Sequence, residues 1–186
     1  TGFKYIAEIL RLRDGQAEFI GGGEESYGYL VGDFVRDKDA VSACCLLAEA
    51  AAWAREQGKT PWQMMKEIYR EFGLYKESLV SLTKKGMSGV EEIRQMMADL
   101  RQNPPRTLDG QKIVRFCDYG ERRETDAKGA VKPIALPKSD VLQFHCEDGS
   151  VVTARPSGTE PKIKFYFGVT GKLEDPARFH EAWTAL

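Results

Sequence analysis

The 186 residues are 42% hydrophobic, enough to bury a substantial core, and 27 basic against 28 acidic side chains leave a formal net charge of -1. That balance excludes a broad cationic field for nucleic acid, so any anion site has to be local. No stretch approaches the roughly 20 apolar residues of a membrane span, and the start lacks the order of a secretion signal. The sequence therefore reads as a soluble protein without nucleic-acid or membrane partners.

Phe3, Ile6, Ala7 and Leu10 recur at helical spacing, predicting a helix that closes near Asp14-Gly15. Residues 17–20 (AEFI) read as a short buried strand entering a glycine loop, and 29–35 (YLVGDFV) as extended. An alanine-rich helix follows from about Lys38 to Gln57, ended by Gly58. Thr60-Pro61 opens another, with threonine as cap and proline at the first position, running to Phe72 and stopped by Gly73. The spacing of Met64, Met65, Ile68 and Phe72 predicts a core face for it.

After Gly73 the pattern changes. Residues 75–83 read as a strand, and Ser88-x-x-Glu91 as a capping box opening a helix to about Gln102, before Pro104-Pro105. Short strands are expected at 111–117, 141–146, 151–155 and 162–169, with an Asp148-Gly149 turn, and a last helix from Asp175-Pro176 carries Phe179 and Trp183. The polar segment from Tyr119 to Lys132 reads as a mobile loop. The chain thus divides into residues 1–73, an α/β piece, and residues 74–186, an α+β domain with a mostly antiparallel sheet flanked by helices.

Cys44, Cys45, Cys117 and Cys146 lack the spacing of a zinc site and read as buried reduced thiols, which favours a cytoplasmic setting. Thr1-Gly2-Phe3-Lys4 carries no initiator methionine, which suggests a fragment or a processed product.

Two segments carry chemistry. GGGEESYG, Gly21 to Gly28, joins glycines, which supply positive φ and close backbone approach, to carboxylates and a hydroxyl suited to a polyol. ARPSGTEPK, residues 154–162, gathers the parts of a phosphate site. Arg155 can bind two oxygens in a fork, Ser157 and Thr159 can donate, Gly158 lets backbone N–H groups turn inward, and Lys162 adds charge; the alternative is a proline-glycine hairpin loop with incidental polarity.

Together with TGFKYIAEIL and GEESYGYLVGDFVRDKDAVSA, the segment RPSGTEPKIKFYF resembles the α-D-phosphohexomutase superfamily, which includes phosphoglucomutases and phosphomannomutases. The resemblance is weakest from about residue 100 to 140. It implies the second part of that family's domain three followed by its domain four, which is TATA-box-binding-protein-like. The sugar-reading loop of domain three maps onto Glu24 and Ser26, with Thr1, Gly2 and Lys38 as further substrate contacts. The phosphate loop of domain four maps onto Arg155, Ser157, Gly158, Thr159 and Lys162.

The family's phosphoserine segment (TASHNP-like) and magnesium loop (DGDGDR-like) do not occur in this sequence. The resemblance therefore implies that the catalytic serine and Mg2+ belong to N-terminal domains missing here, and that this piece alone is inactive. In the complete protein it implies exchange between sugar 1-phosphate and sugar 6-phosphate through a phosphoserine and a sugar bisphosphate. Glu25, Tyr27 and the VGDFVRDKDAVSA run look most like the phosphoglucomutase type 2 group. A phosphopentomutase, or a non-catalytic module binding a phosphosugar or a protein partner, is the alternative.

Overall fold

In a computed structural model of the chain, residues 2–24, 27–84 and 86–186 are described. They form two compact units, Thr1–Met65 and Lys66–Leu186.

The first unit opens with α1 (Lys4–Arg13), continues through an antiparallel hairpin of β1 (Gly21–Gly23) and β2 (Tyr29–Val31), and ends with α2 (Ala40–Glu56) and the start of α3 (Pro61–Phe72). Phe3, Leu10 and Leu30 form its small core, with Ile6 and Phe19 against them. Asp39 caps α2 through its carboxylate, which accepts from the N–H groups of Val41 and Ser42 at 3.1 and 3.3 Å. Thr60 and Gln63 close a reciprocal box at the start of α3, Oγ1 accepting from Gln63 N and Oε1 from Thr60 N.

Several expectations fail in this unit. Residues 17–20 are not a strand, and Ile20 is 86% exposed. The three glycines themselves take the strand role, pairing Gly21 with Val31, Gly22 with Leu30 and Gly23 with Tyr29. Extended backbone after β2 stops at Gly32, where φ is +75°. The stripe Met65, Ile68 and Phe72 lies exposed, because no described side chain of α3 is buried. Cys44 and Cys45 are exposed as well, since Ala54 is the one buried side chain described on α2.

The second unit is an α+β domain. Its strands are β3 (Leu74–Thr83), β4 (Thr107–Leu108), β5 (Gln111–Asp118), β6 (Arg123–Asp126), β7 (Val131–Pro133), β8 (Leu142–Cys146), β9 (Val151–Pro156) and β10 (Lys162–Gly171). They run in the order β3-β10-β9-β8-β5-β6-β7, with β4 beside β5, and every described pairing is antiparallel. The helices are α4 (Gly86–Gln102) and α5 (Phe179–Ala185), the latter preceded by a 3-10 turn at Pro176–Arg178 that Asp175 caps.

Alternation along each strand sends Phe116, Leu142, Phe144, Ala154 and Ile163 to one face, where Ile93 and Met97 of α4 complete the core. α5 lies on that same side, where its Trp183 carbonyl accepts from Lys76 Nζ at 2.9 Å and its ring stacks on Phe179, itself stacked on Tyr69. An irregularity between Ile113 and Arg115 shifts the register, so Ile113 joins the core while Arg115 turns to the other face opposite His145.

Two expectations fail here too. The segment from Tyr119 to Lys132 is not a loop, because β6 pairs with both β5 and β7 across it. Ser88 is no cap, as α4 begins at Gly86 and places Ser88 inside the first turn.

The buried Asp118 anchors the end of β5. It accepts from the backbone N–H groups of Gly120 and Glu121 at 2.9 and 3.2 Å, and Arg101 of α4 reaches it at 3.2 Å while also pairing with Asp140. Removing that carboxylate leaves two amide donors and part of a guanidinium without their acceptor. Asp118→Ala is expected to lower unfolding free energy by about 2–4 kcal/mol. Urea denaturation of the purified chain checks this, and a loss below about 0.5 kcal/mol would show that water replaces the carboxylate.

Candidate functional site

The structure builds two polar clusters, one in each unit. In the first, the β1–β2 connection turns back on itself through Glu24 N–H donating to Gly28 O at 2.9 Å and Tyr27 N–H donating to Glu24 O at 3.2 Å. Gly28 is buried where a Cβ would lie 2.6 Å from Lys38 Cδ and 2.9 Å from Glu24 Oε2. Glu24 and Lys38 are therefore brought together around one residue that has no side chain. Lys38 arrives there because Asp39 N–H donates to Tyr29 O at 2.9 Å, which fixes the residue before α2 against β2.

The Lys38 ammonium lies 3.1 Å from Asp37 Oδ1 and 5.8 Å from the centre of the Phe3 ring. Hydrogen bonds from the Lys38 side chain and backbone hold Asp37 below the usual carboxylate range. Hydrogen bonds from Ser42 and Val41 do the same for Asp39. Gly2, with φ +116°, directly precedes the buried Phe3, and its carbonyl accepts from Tyr5 N–H. Thr1, Glu25 and Ser26 lie outside the described residues.

The glycines earn their place differently from the expectation. None of Gly21, Gly22 and Gly23 has a positive φ, but a Cβ on Gly22 would come within 2.8 Å of Ile6 Cγ2. Close approach is the reason, and among the described residues of the turn it is Tyr27 that is left-handed, with φ +66°.

The second cluster lies between β9 and β10. Ser157 N–H donates to Lys162 O at 2.8 Å and closes the turn, while Ser157 Oγ accepts from Thr159 N–H and Glu160 N–H at 3.4 and 3.3 Å. Arg155, Gly158 and Thr159 are exposed, and Lys162 pairs with Glu160 at 3.3 Å. Of the sequence candidates here, Arg155, Ser157, Gly158, Thr159 and Lys162 thus occupy one continuous turn and its two strand ends.

Sequence reasoning missed one residue. Lys164 is directly opposite Arg155 in the β9–β10 register, so both side chains leave the same face, with Lys162 two residues along on that face too. The neighbours Ala154 and Ile163 are fully buried on the opposite, helix-covered face. Like charges set opposite each other on a sheet repel, and an anion between them reverses the sign of that interaction. The i, i+2 spacing of Lys162 and Lys164 was visible in the sequence, but its alignment with Arg155 depends on the pairing.

Further along this face the side chains satisfy one another. Tyr119 Oη donates to Gln143 Oε1 at 2.7 Å, Gln143 Nε2 donates to Thr153 Oγ1 at 3.2 Å, and Arg115 bridges His145 at 3.0 Å and Glu124 at 3.7 Å. Burial, then the Arg115 charge, hold the His145 imidazole below its ordinary range. Among the described residues no group of three or more His, Cys, Asp or Glu could hold a metal ion, and no helix is long and apolar enough to cross a membrane.

Comparison with known proteins matches residues 1–72 to the phosphoglucomutase/phosphomannomutase alpha/beta/alpha domain III and residues 84–181 to the phosphoglucomutase/phosphomannomutase C-terminal domain. The phosphoglucomutase of Staphylococcus haemolyticus (strain JCSC1435) is 38% identical over 169 residues, covering 90% of this chain and 31% of that protein. The phosphoglucomutase of Staphylococcus aureus (strain USA300) is 39% identical over 168 residues, covering 89% and 30%. The open form of exocytosis-sensitive phosphoprotein pp63/parafusin, a phosphoglucomutase from Paramecium, shares the fold with a TM-score of 0.61 at 17% identity, over 100% of this chain and 31% of its own. The chain thus spans about 31% of the length of these relatives.

The geometry of the second cluster gives a direct test. Titration of the chain with inorganic phosphate, followed by amide NMR shifts, is expected to move Ser157, Gly158, Thr159 and Lys164 with a Kd on the order of millimolar or weaker. Arg155→Ala should abolish the response. Shifts scattered over lysines elsewhere, with no loss on that substitution, would show that the turn is not an anion site.

Proposed function

Because the chain belongs to the phosphoglucomutase/phosphomannomutase family, we propose that it is the part of a phosphosugar mutase that grips the substrate while other domains carry out the chemistry. The turn at 155–162 holds the phosphate that is not being transferred. Arg155 supplies a fork of N–H donors, Lys162 and Lys164 supply charge, and the Thr159 hydroxyl and the N–H groups around Gly158 complete the cradle. What supports this reading above all is the register that sets Arg155 and Lys164 face to face beside that turn.

The Glu24 carboxylate accepts from substrate hydroxyls, Lys38 adds a donor from the other side of Gly28, and Ser26, Thr1 and Gly2 join them in this reading. The preferred substrate is a hexose phosphate exchanged between its 1- and 6-phosphates, with glucose favoured over mannose or a pentose. The phosphoserine, the bisphosphate formed from it and the magnesium ion are assigned to sequence outside this chain, and the setting is cytoplasmic. Phosphoryl transfer depends chiefly on alignment, so a clamp on the distant phosphate contributes by fixing the reacting hydroxyl in line.

The purified 186-residue chain is expected to show no turnover of glucose 1-phosphate, even with magnesium and an activating bisphosphate. A coupled assay on protein freed of host enzyme checks this, and measurable turnover would place the phosphoryl carrier within this chain.

In the full-length protein, Arg155→Lys keeps the charge and loses the fork. It is expected to lower kcat/KM about ten- to a thousandfold, roughly 1.4 to 4 kcal/mol of transition-state stabilisation. An exposed ion pair alone is worth at most about 1 kcal/mol. Steady-state kinetics with a thermal melt as control decide between them, and a near-normal kcat/KM in both Arg155→Lys and Arg155→Ala would remove the clamp.

A further inference from the structure

Tyr27 has a backbone that its residue type does not favour. Its φ of +66° lies in the left-handed region, where a bulky side chain is a genuine outlier. The turn itself does not call for a tyrosine, since glycine adopts this conformation at little steric cost. Nor does packing call for one, as the residue is 87% exposed and contributes little to the core formed by Phe3, Leu10 and Leu30. The conformation is nevertheless held from both sides. Tyr27 N–H donates to Glu24 O, Glu24 N–H donates to Gly28 O, and Gly28 is wedged against Lys38 and the Glu24 carboxylate. Strain retained by surrounding contacts, on an exposed aromatic residue in the turn that also carries Glu24, is the pattern of a binding residue.

We propose that Tyr27 is a specificity-determining residue of the sugar site, its ring packing flat against the C–H face of the phosphorylated sugar while Glu24 takes the hydroxyl edge. This rests on the reading of the Gly21–Gly28 segment as sugar-binding. A sugar ring offers an apolar C–H face bordered by hydroxyls, and an aromatic ring with a polar tip matches that division. The carboxylate reads where hydroxyls are, and the ring reads whether the face between them is flat. An axial hydroxyl on that face would lift the sugar from the ring, so the residue discriminates among epimers without forming a hydrogen bond to the inverted position.

The test uses the full-length protein with two probes, glucose 6-phosphate and inorganic phosphate, and three variants, Tyr27→Gly, Tyr27→Phe and Glu24→Gln. Calorimetric titration of Tyr27→Gly is expected to show glucose 6-phosphate bound about three- to tenfold more weakly, with inorganic phosphate unchanged. Its melting temperature should hold or rise, because glycine relieves the strained backbone. Tyr27→Phe should bind within about twofold of the parent, and sugar C–H protons should move upfield on binding to the parent and to this variant but not to Tyr27→Gly.

Unchanged glucose 6-phosphate affinity in Tyr27→Gly, alongside weakened binding in Glu24→Gln, would overturn the role of Tyr27 alone. Unchanged affinity in both would remove the sugar-reading role of the whole segment and Tyr27 with it. Equal loss of inorganic phosphate binding in Tyr27→Gly would overturn the proposal by showing a general disturbance of the protein.

Discussion

Ala154 and Ile163 have no exposed surface, and the arrangement of the second unit depends on keeping them so. They occupy adjacent strands beneath α4, and the period of two along each strand then obliges Arg155 and Lys164 to leave from the opposite side. A slip of one residue in the β9–β10 pairing would bring a cation into the apolar layer and a methyl-bearing side chain out of it. The cost of burying an unpaired charge greatly exceeds what any surface contact in the turn supplies. The core therefore sets the spacing of the cations, and Ser157 N–H bonded to Lys162 O closes the turn above them.

The first unit leaves much of its apolar material uncovered, with Leu12, Ile20, Phe34 and Leu47 exposed. Its described core is small, and the positions of Glu24 and Lys38 depend on backbone bonds to β2 and on a side chain that is absent at Gly28. Hydrogen bonds made at a turn and at a helix cap define direction without much burial. Here Asp39 does two things at once. Its carboxylate starts α2, while its N–H ties the preceding Lys38 to the strand that follows the turn.

Residues with one local role were the most legible in the sequence. Proline and glycine marked the ends of α2 and α3, and the strands at 111–117, 141–146, 151–155 and 162–169 came from their alternation and the turns between them. The polar turn at 155–162 was readable as a turn because its residues are contiguous. What escaped notice depended on contacts distant in sequence. Residues 123–126 (RETD) carry no apolar side chain, so no alternation marks them, and only pairing with β5 and β7 makes them a strand. Lys164 looked like an ordinary strand lysine until the register set it opposite Arg155. Ile20 and Phe72 looked like core because they are apolar, yet among the described residues nothing buries them. Hydrophobicity predicts a tendency to be covered and does not supply the cover.

The strand β3 pairs along its whole length with β10 and with no other described strand, joining Leu74 to Gly171 and Thr83 to Lys162. During synthesis, β3 therefore emerges from the ribosome long before its partner exists. It has to wait while β4 to β9 are made, and the loop it eventually closes is among the longest in the unit. Contacts of such sequence separation are the slowest to form. The turn at 155–162 lies at the start of β10, so its final geometry waits until that strand has been made. A ribosome that stalls before Lys162 leaves β3 without its partner and Arg155 without Lys164 opposite it.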